Sequence, residues 1–179
     1  MKKYKIIYAD PPWSYSGTLP QRAKVKHYEV MDTQKICDLP INNLSDDNCA
    51  LFLWTSYYHL PDALRVIESW GFRYVTCAFC WIKLDKGGKA ILGMGQWTRS
   101  NSEICLFARK GDINRISNDV SQIIMSRRRE HSRKPDEVRN KIVDLMGDIP
   151  RIELFARQRF QGWDVWGNEA PTKELQMTL

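Results

Sequence analysis

Short runs of apolar residues alternate along the chain with amphipathic stretches and with Gly and Pro punctuation. That pattern predicts an α/β domain on a largely buried, mostly parallel central sheet. Strands are expected at Lys5–Ala9, Cys49–Trp54, Arg73–Trp81, Glu103–Ala108, Gln122–Met125, Arg151–Ala156 and Trp163–Trp166. Helices fit between some of them. One has Pro61 in its first turn, Leu64 and Ile67 at helical spacing, and Gly71 as its stop. Another follows Pro135, with Asp136 and Glu137 near its positive end, Val138, Ile142, Leu145 and Met146 on one face, and Gly147 beyond. A shorter helical turn falls around Thr33–Leu39. Two long connections, Ser14–Asp32 and Asp85–Ser102, carry neither period. Connections of this length in a compact domain are usually binding loops or disordered.

The length of 179 residues suits one domain, expected over residues 1–169, with 170–179 as a frayed tail. Lys and Arg outnumber Asp and Glu by 27 to 21, giving a net charge of +6, and 43% of residues are hydrophobic. This is a folded, mildly basic protein, compatible with an enzyme or a nucleic-acid binder. Unbroken apolar runs no longer than Cys77 to Ile82 are far below the ~18 residues that span a bilayer. The opening apolar run ends at Asp10, too short for a signal peptide. A cytoplasmic protein without a membrane partner is therefore expected. Five irregularly spaced cysteines describe no secreted disulfide framework. Cys77 and Cys80, three apart in a strand, are expected on opposite faces, and no second pair completes a zinc site. No metal is expected.

The chemistry concentrates in Asp10-Pro11-Pro12-Trp13, directly after the apolar Ile6-Ile7-Tyr8-Ala9. This puts the tetrad at the carboxyl end of a strand, where parallel sheets bind ligands. Two prolines stiffen the segment and remove two backbone donors, so their carbonyls are expected to be free to accept. Asp10 adds a carboxylate, an acceptor when ionised. Such a group of acceptors suits an amino group with two N–H bonds to donate. Accepting both from the amino group of adenine would turn its delocalised lone pair toward an electrophile, a preference for the transition state over the ground state. Trp13 is expected to stack on the base, a contact worth about 1–3 kcal/mol.

With these residues the chain resembles the amino-methyltransferases acting on nucleic-acid bases, in the branch typified by the seventy-kilodalton catalytic subunit of the mRNA adenosine methyltransferase. The further landmarks are Leu51-Phe52-Leu53-Trp54-Thr55, Trp81-Ile82-Lys83, Glu103-Ile104-Cys105-Leu106, His131 to Glu137, Glu153 to Arg157 and Trp166-Gly167-Asn168-Glu169, in family order. The resemblance implies a single-domain Rossmann-like methyltransferase fold, circularly permuted so that the catalytic loop precedes the cofactor segments. It implies S-adenosylmethionine as methyl donor and the 6-amino group of adenine as acceptor, in a site-specific enzyme. Bacterial and phage relatives act on DNA, which places DNA ahead of RNA. By the same resemblance Lys134, Arg157, Asn168 and Glu169 match cofactor-contacting positions, and Asp10 lies between cofactor and base. A Phe-x-Gly-x-Gly cofactor loop is missing; Phe155-Ala156-Arg157 stands at that strand end. Degenerate members of the family act as silent partner subunits but lose the tetrad, which this chain keeps; a homo-oligomer or a partner subunit remains compatible.

On the substrate side, Tyr28 matches a family tyrosine close to the target base, and Trp54 and Lys83 fall near strand ends. Charge is concentrated there too. Residues 22–28 carry +3, 83–99 carry +3 and 127–134 carry +4, leaving −4 on the rest of the chain. Arg99, Arg127, Arg128, Arg129 and His131 are accordingly expected to contact a nucleic-acid backbone, and the Gly-rich segment Asp85–Ser102 to close over a base or track a strand.

Overall fold

The computed structural model describes residues 2–14, 30–95, 97–129 and 133–167. Seven strands form one sheet: β1 (Tyr4–Ala9), β2 (Ser45–Thr55), β3 (Arg73–Leu84), β4 (Ser102–Lys110), β5 (Ile123–Arg127), β6 (Arg151–Leu154) and β7 (Asp164–Trp166). Their order across the sheet is β5-β3-β4-β2-β1-β6-β7. Pairing is parallel for β1 with β2 and β6, β6 with β7, and β3 with β5. Only β4 runs against its neighbours β2 and β3. The sheet is thus mostly parallel, as expected, with one reversed strand.

Among the described residues three α-helices flank it: α1 (Thr33–Cys37), α2 (Leu60–Ser69) and α3 (Glu137–Met146). Pro61 opens α2 near its N-terminus, where the missing N–H has no helical partner to lose. Asp32 caps α1 by accepting from the Gln34 N–H. Gly147, at φ 91°, ends α3.

The continuous apolar runs are explained by burial of both sheet faces. One core gathers Ile7, Ala9, Leu51, Leu53, Leu106 and Leu154 with Ile36 of α1 and Val66 and Ile67 of α2. The other gathers Ile6, Tyr8, Phe52, Trp54, Phe79 and Trp81 with Val138, Ile142 and Met146 of α3. Alternate residues of one strand therefore feed opposite cores, and none can be polar without cost.

Two expectations are corrected. A register shift between Cys77 and Phe79 breaks the alternation of β3, so Cys77 and Cys80 pack against the same core instead of facing apart. No group of three His, Cys, Asp or Glu able to hold an ion occurs among the described residues. The sixth strand ends at Leu154 rather than Ala156, because Phe155 turns into the left-handed region at φ 60°. No helix among the described residues is long and apolar enough to cross a membrane.

Candidate active site

Asp10 follows the last residue of β1, on the sheet edge where the parallel strands end. Because β4 is reversed, its beginning lies on that same edge, and Glu103 arrives there. The third participant is Lys134, three residues before α3. Its ammonium lies 2.8 and 2.9 Å from the two oxygens of Asp10 and 3.1 Å from Glu103 Oε2. Glu103 Oε1 is in turn paired with Lys83. The result is a chain of alternating charge, Asp10–Lys134–Glu103–Lys83, laid over aromatic rings. Lys134 Nζ is 5.6 Å from the Trp54 ring centroid and Lys83 Nζ 5.2 Å from that of Trp81.

The electrostatics of this chain are asymmetric. Burial pushes the Asp10 carboxyl up; Lys134 pulls it back, while Glu103 adds repulsion, leaving it above the ordinary range. Burial would raise Glu103 as well, but Lys134 and Lys83 together hold it below the ordinary range. For Lys134, burial favours the neutral amine, yet Asp10 and Glu103 outweigh it and keep the ammonium above the ordinary lysine range. Lys134 is therefore a fixed cation and Glu103 a fixed anion. Asp10 is the member with capacity to spare: 28% of its side chain is exposed, against 9% for Lys134.

The tetrad itself is held tightly. The Trp13 indole N–H donates to the Trp54 carbonyl at 3.0 Å, and its ring stacks on His59 at 5.7 Å between centroids. The expectation of two vacant proline carbonyls is corrected. Pro11 O accepts from the Trp13 N–H at 2.9 Å and Pro12 O from the Met31 N–H at 2.8 Å. The first of these closes a tight turn around Pro12, and the second ties the tetrad to the approach of α1. Each oxygen keeps one lone pair.

Comparison with known proteins bears on this arrangement. The family model MT-A70 matches residues 4–169. The chain belongs to the MT-A70 family. A Type II methyltransferase, M.MunI, from a Mycoplasma species is 33% identical over 98% of this chain and 82% of its own length. The human N(6)-adenosine-methyltransferase catalytic subunit METTL3 is 28% identical over 93% of this chain, and an Arabidopsis thaliana N(6)-adenosine-methyltransferase MT-A70-like protein 29% over 93%. This chain spans only 28% and 24% of those two proteins. The human and Arabidopsis relatives are named for N(6)-adenosine methylation and the Mycoplasma relative for methyl transfer.

Within this MT-A70 domain the other expected site residues separate. Arg157 lies just past the Phe155 turn, and its charge helps to lower the Asp10 carboxyl. A positive φ at a non-glycine residue such as Phe155 is strained. Trp54 is corrected as a substrate contact: it is fully buried, with its indole N–H on the Tyr8 hydroxyl at 2.8 Å, and it serves as the floor under Lys134. Arg129 pairs with Asp136, and Arg127 donates to the Lys86 carbonyl at 2.8 Å, while both remain exposed along with Arg128 and Arg99. Tyr28, His131, Asn168 and Glu169 lie outside the described residues. Sequence reasoning treated Glu103 only as a landmark and missed its role. The available signal was an acid heading the apolar run Ile104–Ala108, a residue type seldom buried without a partner.

Proposed function

We propose that the chain methylates the 6-amino group of adenine in DNA, with S-adenosylmethionine as donor, at the Asp10 end of the charge chain. The observation that carries this reading is the single ammonium of Lys134 held between Asp10 and Glu103 at the open sheet edge. The donor set suits the cofactor: a fixed cation for its carboxylate, an acidic acceptor for its amino group, and a strained turn at the end of β6 beside Arg157. When bound, it supplies an electrophilic methyl on a sulfonium. Lys134 and Arg157 would hold it.

Asp10 orients the acceptor. Both its oxygens meet Lys134 yet retain lone pairs for the amino N–H bonds. The remaining lone pair of Pro11 O offers a second acceptor, and the tetrad's internal hydrogen bonds keep both in place before substrate arrives. Asp10, raised by burial, is also a suitable base for the proton released after transfer. Holding two ligands in line supplies much of the remaining rate. The preference for DNA rests on the Mycoplasma methyltransferase being matched over most of its length.

The test is a methyl-transfer assay on single- and double-stranded DNA and RNA, followed by mass analysis of nucleosides. N6-methyladenine in DNA is expected. Methyl on cytosine, or transfer to RNA alone, contradicts the reading.

A further inference from the structure

The connection between β3 and β4 holds large apolar residues in solvent on a cationic stem. Trp97 is 97% exposed, Met94 93% and Leu92 71%. The charges around them are Lys86, Lys89, Arg99 and, across the neighbouring strand, Arg127 and Arg128, all exposed. This segment is a narrow two-armed finger, not an open loop. Ile91 N–H donates to the Lys83 carbonyl and Lys83 N–H to that of Asn101, both at 2.9 Å. Further out, Gly93 N–H donates to Ser100 O at 2.9 Å. A Cβ at Gly93 would strike that Ser100 oxygen, and one at Gly95 the Thr98 oxygen. Glycine is needed at both positions because the arms approach so closely. Beyond them the tip presents Met94, Trp97 and Arg99.

The finger is rooted in the charge chain. Its arms leave the sheet after Leu84 and before Ser102, next to Glu103, on the same sheet edge that holds Asp10. Adenine inside a duplex must leave the stack to reach such a site, and the gap it leaves costs stacking energy. Proteins that distort duplexes fill such gaps with apolar wedges between base steps while cations hold the flanking phosphates. We infer that Trp97 is this wedge, and that the finger fits the chain to double-stranded DNA. Asp85 at the base of the finger already accepts from the Gly87 and Lys89 N–H groups, and the surplus of exposed cations around it matches a phosphate backbone.

This inference rests on the reading of the site as a DNA adenine methyltransferase, and the experiment separates the two. Sheared chromosomal DNA lacking adenine methylation is used native and heat-denatured, with wild type, Trp97→Ala and Trp97→Phe. Trp97→Ala is expected to lose about tenfold or more in kcat/KM on native DNA, the scale of one base–aromatic stack, and at most about threefold on denatured DNA. Trp97→Phe should keep most of the native-DNA rate. Equal losses on both substrates, or none on native DNA, overturn the inference.

An independent signal does not need turnover. Trp13, Trp54, Trp70, Trp81 and Trp163 are buried and Trp166 is half-buried, so Trp97 dominates acrylamide quenching. Native DNA should shield it, and Trp97→Phe should remove the quenchable fraction. If wild type methylates neither DNA, the reading of the reaction fails and this shielding alone decides the finger. Shielding by self-association without DNA overturns it in favour of a protein interface.

Discussion

Two ionic clusters lie on opposite sides of β1, and they differ in one respect that separates scaffold from working site. In the first, Arg139 of α3 meets Glu153 of β6 through two parallel hydrogen bonds, each 2.6 Å, with a third to Asp136 at 3.1 Å. Its guanidinium is 5.7 Å from the Tyr8 ring centroid and 4.8 Å from that of Phe160. Every polar atom faces a partner or an aromatic wall, so the pair fastens α3 to the sheet and offers nothing to a ligand. In the second, Lys134 is shared between two carboxylates, and Asp10 keeps an open side. A closed pair leaves no acceptor for a ligand, although burial raises the Glu153 carboxyl as it does Asp10; the open one leaves acceptor capacity for a substrate.

The widest separation between the clusters should come from Arg139→Met. Leaving Glu153 buried without its partner is expected to cost about 3–5 kcal/mol, which in a domain of this size lowers Tm by roughly 6–20 °C. Adding Glu153→Leu should recover much of it, because two apolar side chains need no pairing. Calorimetry checks both, and kcat measured well below Tm should stay within a few-fold of wild type. Asp10→Asn should do the reverse. It keeps the shape but weakens the acceptor, so kcat is expected to fall about 10²–10³-fold. Stability should hold or rise, since a carboxyl raised by the fold is one whose ionised form the fold disfavours.

Glu103→Gln should give the smaller, more diagnostic change, about tenfold in kcat/KM, the low end for a positioned charge. On the proposed reading activity requires ionised Asp10, so the acid limb of the wild-type pH profile should lie above the ordinary carboxylate range. Removing the Glu103 charge takes away repulsion and leaves Lys134 to Asp10 alone, so that limb should move to lower pH. Glu103 itself is held down, so it contributes stability above its unfolded pKa that is lost as pH falls through the folded value. A rate loss without a shifted limb would make Glu103 merely structural.

Much of the fold is legible in the sequence because burial on both faces leaves strands such as Leu51–Trp54 as unbroken apolar runs, and Pro61, Gly71 and Gly147 mark helix ends by local chemistry alone. Strand direction leaves no such trace. The reversal of β4, which brings Glu103 to the edge, follows from topology and not from any period in its residues. The shift beside Cys77 is equally silent, as is the acceptance of the Met31 N–H by Pro12, nineteen positions away. Asp10 and Lys134 were readable as candidates from their motifs; their contact, 124 positions apart, was not.

The most direct measurement is nucleoside mass analysis of DNA incubated with S-adenosylmethionine and either wild type or Asp10→Asn, with the fold of each checked by circular dichroism. The expected result is N6-methyladenine from wild type and, at equal time, a trace or none from a folded Asp10→Asn. Comparable N6-methyladenine from both proteins would contradict the placement of the reaction at Asp10.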